Sequence, residues 1–379
     1  MIGWIALLIW LGLAATRFWT CDQNDEAAPV AQPAPGAWPD VVAVVPARDE
    51  ADVIAQSIGS LLAQDYPGAL RVILVDDNSS DGTGDIARAL PATDRLTVLT
   101  GAPLADGWTG KLWAVHQGIH AAQNAQAGAP EYLWLTDADI AHAPDTLRTL
   151  VGVARAGDKR LVSFMALLTN QTWAERWLIP AFIWFFMMLY PFGLVNSTGF
   201  IGRRVAGAAG GCVLVRGDAL AAAGGIGAMR GALIDDCTLG ALIKRQGPIW
   251  LGLTRRSQSI RPYADWRGIG RMIARSAYAQ LRYNPVLLIG TVAGLGLVFG
   301  APIWAALCGQ GGGQLAGIAA CLVALTLYQP VLAFYRRSPL WALTLPLVAG
   351  FYLGCTLWSA LCYYRGTGGM WKGRAQAGK

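Results

Sequence analysis

Charge is scarce in this chain. Asp, Glu, Lys and Arg make up 14 % of its 379 residues, against about 25 % in ordinary soluble domains. The apolar set AVILMFWYC reaches 54 % and mean hydropathy is +0.39. A disordered, collagen-like or wholly soluble chain is excluded. Histidine is nearly absent: of three, His116 and His120 are four apart, but no Glu follows His116 to complete an HExxH metal helix. Seven cysteines, Cys21 to Cys362, form no CxxC pair and no finger spacing. They read as small buried hydrophobes in a reducing compartment, not as a disulfide framework. Gly-x-Ser-x-Gly and Walker sequences are missing. Residues 286–379 contain no acidic side chain.

The charge that is present is sharply divided. Residues 1–163 carry 10 Lys/Arg against 19 Asp/Glu, residues 164–285 carry 14 against 5, and residues 286–379 carry 6 against none. An acidic, cation-using half is followed by a basic region suited to anionic lipid or phosphate. The pI of 9.0 would by itself suggest nucleic acid, but no nucleic-acid-binding motif is present. No such partner is expected.

Apolar runs mark membrane contact. Residues 2–16 are apolar and end before Arg17, so residues 1–21 are expected to be an N-terminal transmembrane anchor, although a span needs ~20 residues. The run has no positive n-region, which argues against a cleaved signal. Residues 22–40, with Pro29, Pro33, Pro35 and Pro39, read as an extended linker. Three more runs, 286–308, 314–335 and 340–362, predict a C-terminal membrane region of about three helices over 286–364. A basic tail, 365–379, follows with Arg365, Lys372, Arg374 and Lys379. Arg336-Arg337 favours an inside loop, whereas three crossings would leave the basic tail outside. Either one run is re-entrant or the tail breaks the charge rule. Residues 177–195, interrupted by Pro180 and Pro191, suit an interfacial or re-entrant segment.

Between these lies a polar domain, 41–285. β-branched runs at 41–45 and 71–75 and shorter strands at 96–99 and 132–136 alternate with helical stretches. This predicts a parallel α/β sheet with ligands at the carboxyl ends of its strands. Polar clusters fall at those ends: Arg48-Asp49-Glu50, Asp76-Asp77-Asn78 and Asp137-Ala138-Asp139. Two carboxylates one residue apart can meet a hard divalent cation whose shell substrate phosphates complete. On a helix over 266–283, Arg267, Arg271, Arg275 and Arg282 share a sector of about 80°, a basic amphipathic helix ahead of the apolar runs.

In order along the chain stand Val45-Pro46-Ala47-Arg48-Asp49-Glu50, Val75-Asp76-Asp77-Asn78 to Thr83, Trp108-Thr109-Gly110-Lys111, Asp137-Ala138-Asp139, Gly210-Gly211-Cys212 and Leu233-Ile234-Asp235-Asp236. This series over 40–285 resembles the family 2 glycosyltransferases, which use nucleotide sugars on a GT-A fold. Within that family the chain is most similar to the glycosyltransferases associated with hopanoid biosynthesis, and more distantly to ceramide glucosyltransferases. The resemblance implies that Asp76 and Asp77 hold the uridine, with Ala47 and Glu50 bordering the same nucleotide. It implies Lys111 near base or diphosphate and Asp137 and Asp139 on Mg²⁺ or Mn²⁺. Asp236 becomes the catalytic base beside Asp235, which stands where Glu is more usual. Gly210, Gly211 and Cys212 form the acceptor loop. Family members with membrane segments often carry Gln-x-x-Arg-Trp; here Gln280-Leu281-Arg282-Tyr283 keeps Arg282 for the diphosphate but shifts Gln280 by one.

The expectation is an inverting, metal-dependent glycosyltransferase of the hexosyltransferase type, anchored in the inner membrane by several passes with its catalytic domain cytoplasmic. It would move a sugar from a UDP-type donor to a lipid acceptor, a hopanoid or a related lipid. A polysaccharide synthase or polyprenyl-phosphate glycosyltransferase is the alternative. A non-catalytic membrane scaffold would require loss of Asp139 or Asp236, and both are present.

Overall fold

A computed structural model describes residues 1–379 apart from 35, 92–93, 126–127, 372–373 and 376–379. Pro35 of the linker and Lys372 and Lys379 of the tail therefore lie outside the described residues.

The expected strands form. β1 (Val41–Ala47), β2 (Leu70–Asp76), β3 (Leu96–Thr100) and β4 (Tyr132–Leu135) alternate with α2 (Ile54–Leu62), α3 (Thr83–Arg88) and α4 (Gly110–Gln123), after an N-terminal helix α1 (Ile2–Ala15). β5 (Ile140–His142), α5 (Thr146–Ala156), β6 (Leu161–Leu167), α6 (Trp173–Leu189), α7 (Phe192–Asn196), β7 (Val213–Arg216), α8 (Gly217–Ala222), α9 (Asp235–Lys244) and β8 (Ile249–Ser259) complete this part. All seven residues of β1 are buried, as a central strand covered on both faces requires.

The sheet is mixed rather than parallel. Its order is β3-β2-β1-β4-β7-β6-β8-β5. β3, β2, β1 and β4 are mutually parallel, but β7 runs antiparallel to both β4 and β6. Four residues of β7 carry no sequence mark of direction. Because β6 and β8 are again parallel, the carboxyl ends of β1, β4, β6 and β8 all open toward one edge.

The expected linker is no free tether. Asp25 N donates to Leu253 O at 3.0 Å, and the buried Asp25 carboxylate accepts from Thr254 Oγ1 at 2.6 Å. Ala31 N reaches Gly152 O at 3.0 Å. Residues 22–31 are thus stitched to β8 and α5.

Past β8 come α10 (Trp266–Gln280), α11 (Pro285–Leu295), a π-helical turn (Gly296–Gly300), α12 (Ala301–Cys308), α13 (Gly311–Phe334), a 3₁₀ segment (Pro339–Thr344) and α14 (Leu345–Tyr364). Three helices, Pro285–Cys308, Gly311–Phe334 and Pro339–Tyr364, are long and apolar enough to cross a membrane. α1 is not: at 14 residues it measures roughly 21 Å, and it ends where Arg17 turns to positive φ. α6 takes a capping box from Thr172 and Glu175 and ends at Tyr190.

α14 does not simply lead away from the α/β part. It runs alongside α10 in the same direction: Trp266 packs on Phe351 with ring centroids 6.2 Å apart, Tyr278 N donates to Ser359 Oγ at 3.1 Å, and Tyr278 Oη meets Tyr364 Oη at 2.9 Å. α10 is itself fastened at both ends, by Tyr263 N on Glu175 Oε1 at 2.6 Å and by Gln280 Nε2 on Tyr190 Oη at 2.7 Å. The end of α14 therefore lies where α11 begins, beside Tyr278 and Tyr283.

The remaining helices pack through small residues that let their backbones approach closely. A Cβ on Gly317 of α13 would stand 2.7 Å from Ala305 Cβ and Ala306 N of α12, and one on Gly3 of α1 2.4 Å from Gly313 O. Gly317→Val should force α12 and α13 apart and cost about 1–3 kcal/mol. Gly294→Ala, on α11 with nothing within 4 Å of the added carbon, should be tolerated. Thermal unfolding of both variants in detergent checks this, and equal melting temperatures would refute it.

Candidate active site

The sheet edge holds two joined cavities. The first, of about 420 Å³, is walled by Glu50, Lys111, Asp137, Asp139, Asp236 and Arg261 among others. The second, of about 330 Å³, runs between α6 and α10 toward Thr291 of α11 and Thr356 of α14. They share Phe182, Phe186, Asp236, Met272 and Arg275, so they meet beside Asp236.

Each polar wall is set by a chain reversal. β4 ends at Leu135, and the turn that follows presents Asp137 and Asp139. α9 begins with Asp235 and Asp236 in its first turn, where the positive end of the helix dipole favours carboxylates. Lys111, in the first turn of α4, joins the two: Nζ lies 2.8 Å from Asp137 Oδ1 and 3.0 Å from Asp235 Oδ2. Burial disfavours its charge, but the two carboxylates outweigh burial and hold the ammonium well above its usual range. Burial likewise opposes ionisation of Asp235, and Lys111 overcomes it, keeping that carboxyl below the usual range. Asp236 lacks such a partner. Burial and the neighbouring Asp235 charge push it up to about 6. Its oxygens accept from Gly210 N at 3.0 Å and Cys237 N at 2.7 Å.

Asp139 is raised by burial and by Asp137, with Arg261 partly offsetting them. Among the described residues no group of three or more His, Cys, Asp and Glu could hold a metal unaided. Asp137 and Asp139 nonetheless fit a hard divalent ion in the form such sites take with phosphates, one or two carboxylates with substrate oxygens and water completing the shell.

The residues expected to border the nucleotide are sewn together behind this wall. Glu50 N donates to Thr83 Oγ1 at 2.8 Å, Asp49 N to Ser79 Oγ at 3.0 Å, and Ser79 N to Asp76 Oδ1 at 3.0 Å. Arg48 Nη1 bonds Asp77 O and stands 3.8 Å from Asp77 Oδ2. Ala47, Asp76 and Asp77 are buried and line neither cavity; of this group Glu50 reaches the first.

Two residues do not stand where the resemblance placed them. Arg282 is exposed, at φ 54° in the turn after α10 has ended, and borders neither cavity. The helix stops at Gln280, so Arg282 leaves the sector it would share with Arg275. Cys212 is buried and its sulfur accepts from Trp134 Nε1 at 3.4 Å; Gly210 and Gly211 face the cavity, but the cysteine points into the core. Sequence reasoning missed Arg261, whose Nη2 bonds Glu50 and lies 3.0 Å from Asp52 Oδ1. Its signal was available, since it stands two residues beyond a strand end like the three acidic clusters.

Under the acidic turn His142 is clamped between Thr136 Oγ1 and Ser257 Oγ, each 2.9 Å away, and Thr136 Oγ1 also donates to Gly211 O at 2.8 Å. Burial drives the imidazole down to about 3. Between that value and the unfolded ~6.5 only the unfolded chain takes the proton, so stability falls as pH drops below ~6.5. His142→Asn should remove this acid sensitivity, up to about 2 kcal/mol at pH 5. Melting temperatures of both proteins at pH 5 and 7.5 test it; equal pH dependence would rule it out.

Residues 42–221 match the family model Glycosyl transferase family 2. Over 126 residues the chain is 33 % identical to the succinoglycan biosynthesis protein ExoO of Rhizobium meliloti (strain 1021), covering 32 % of this chain and 32 % of that protein; it thus spans about a third of that relative. A solved mannosyltransferase, PcManGT from Pyrobaculum calidifontis in complex with GDP-Man and Mn²⁺, is similar over 94 % of this chain and 98 % of its own, at 18 % identity and a TM-score of 0.52. The glucosyl-3-phosphoglycerate synthase from Mycobacterium tuberculosis, solved with Mn²⁺, UDP-glucose and glycerol 3-phosphate, covers 64 % of this chain at 18 % identity and a TM-score of 0.39. At these identities the PcManGT likeness speaks to the fold alone. The family match and this likeness together show that residues 42–221 carry the sequence pattern of the Glycosyl transferase family 2 model and that the chain is built on a GT-A-type α/β fold.

Proposed function

We propose that the chain is a membrane-associated, inverting glycosyltransferase that moves a sugar from a nucleoside-diphosphate donor of the UDP type to a lipid alcohol. The carrying observation is the junction of the two cavities at Asp236. One is lined by carboxylates and cations, the other mainly by α6 and α10 side chains such as Phe185, Leu189 and Ile273, and reaches two helices apolar enough for a bilayer. A lipid with one hydroxyl end fits the second cavity; a charged donor fits the first. A polycyclic or sphingoid acceptor, including a hopanoid, is consistent with that apolar wall.

In this reading Asp137 and Asp139 hold Mg²⁺ or Mn²⁺, which when bound offsets charge on the departing diphosphate. Glu50, Ala47, Asp76 and Asp77 frame the nucleotide end. Asp236 accepts the proton of the acceptor hydroxyl as its oxygen attacks the anomeric carbon. The bond from that carbon to the diphosphate oxygen breaks, and a single displacement inverts the centre. Lys111 keeps Asp235 ionised, and the Asp235 charge keeps Asp236 basic enough for the task. The domain and membrane boundaries follow the same reading: α/β part 41–285 cytoplasmic, apolar helices over 286–364, and the basic tail returning to the cytoplasmic side beside α10. The succinoglycan relative favours a second reading, in which the acceptor is a saccharide carried on a lipid.

Asp236→Asn keeps volume and loses the base, so turnover with a lipid acceptor should fall ~10²–10⁴-fold while UDP-sugar affinity stays within about twofold. For the wild type, kcat should rise with pH through about 6 and then level, since the base works only when deprotonated. An active Asp236→Asn enzyme would defeat the mechanism.

The acceptor class is tested with purified protein, UDP-sugars and two acceptor panels, polycyclic or sphingoid alcohols and lipid-linked saccharides. Transfer to the first panel is expected. Transfer to the second alone would move the function to polysaccharide assembly.

A further inference from the structure

The expected diphosphate ligand, Arg282, stands outside both cavities, so the cation for the leaving group must come from elsewhere on the wall. Three basic side chains line the first cavity: Lys111, Arg261 and Arg275. Lys111 is committed to Asp137 and Asp235, and Arg261 to Glu50 and Asp52. Arg275 has no such commitment. Among the described residues it makes no hydrogen bond and no ion pair, although it lies within electrostatic reach of Asp235 and Tyr263. It borders both cavities at their junction, with Asp236 on the same shared rim.

Its helix is held in place. Ile269, Ile273 and Tyr278 of α10 are buried against α14 and α6, so the backbone that carries Arg275 is anchored one turn to either side. The side chain itself is exposed and open to a ligand. A planar guanidinium with free donors suits an oxygen anion, which it can take by two parallel hydrogen bonds.

Resting on the glycosyltransferase reading above, we propose that Arg275 binds the diphosphate of the nucleotide-sugar donor and draws the leaving group toward the cavity junction. The acidic wall makes this cation necessary: Asp137, Asp139, Asp235, Asp236 and Glu50 crowd a space into which a further polyanion must enter. A divalent ion on Asp137 and Asp139 would supply one positive charge to the diphosphate, and Arg275 lines the same cavity from α10. Arg271 and Arg267, one and two turns earlier on the same stripe, line neither cavity and stay available to anionic lipid.

Calorimetric titration of full-length protein in detergent with UDP and Mn²⁺, with GDP in parallel, tests this. Arg275→Gln should weaken nucleoside-diphosphate binding about 10–100-fold, the loss of a charge-assisted, two-pronged contact. Arg275→Lys should recover part of it as a point charge. Arg282→Gln should bind within twofold of the wild type. Uridine, which lacks phosphates, should bind the wild type and Arg275→Gln equally, separating a diphosphate contact from a general distortion of the site. Undiminished UDP affinity in Arg275→Gln would overturn the assignment while leaving the glycosyltransferase reading intact, as would a loss confined to Arg282→Gln or an equal loss of uridine. A wild type that binds neither UDP nor GDP would overturn the reading itself, and the inference with it.

Discussion

A single ammonium group holds the site in shape. Lys111 Nζ touches Asp137 at the end of β4 and Asp235 at the start of α9, two segments about a hundred residues apart in sequence. Without that cation, four carboxylates from two turns would face one another across the cavity, and repulsion would open the wall or protonate its members. With it, Asp137 and Asp235 each pair with the ammonium, and Asp139 and Asp236 keep raised proton affinities. A polar site beneath an apolar roof thus stays charged yet reactive, which its proposed chemistry requires.

A second buried charge ties that site to the apolar helices. Glu175 is fully buried and accepts from Thr169 Oγ1, Gln171 N, Thr172 N and Tyr263 N, at 2.5–2.9 Å. Burial opposes its ionisation, but these four donors outweigh it. The node caps α6 and sets the approach to α10. Next to it Asn170 Nδ2 donates to Tyr335 O at 3.1 Å, and Arg255 Nη2 to Phe334 O at 2.8 Å. Hydrogen bonds, rather than packing alone, therefore fix where α13 ends against the α/β part.

Much of this was legible in the residues. Runs such as Val41–Val45 and Arg71–Val75 announce buried strands because their apolar pattern is continuous and their ends are acidic. Asp137, Asp139, Asp235, Asp236 and Lys111 converge because each sits at the edge of a strand or helix that the motifs mark. Direction was not legible in β7, whose four residues suit either sense. Nor was the choice among arginines: Arg267, Arg271, Arg275 and Arg282 share one sector on an ideal helix, and the end of α10 at Gln280, with the contacts of Ile269 and Ile273, decides which of them meets the cavity. The fate of residues 22–31 depended on Asp25 finding Thr254 and Arg256, a tertiary pairing across more than two hundred residues.

The side-by-side run of α10 and α14 has a mechanical meaning. One wall of the second cavity is α10; its far end is closed by Thr291 and Thr356 on helices that a bilayer would surround. On the proposed reading, a bilayer around α11 and α14 would bear on that cavity through Tyr352 Oη, which donates to Leu178 O, and through the Tyr278–Tyr364 pair. On that reading, the volume open to the acceptor would then follow the lipid around α11 and α14 as well as the protein itself.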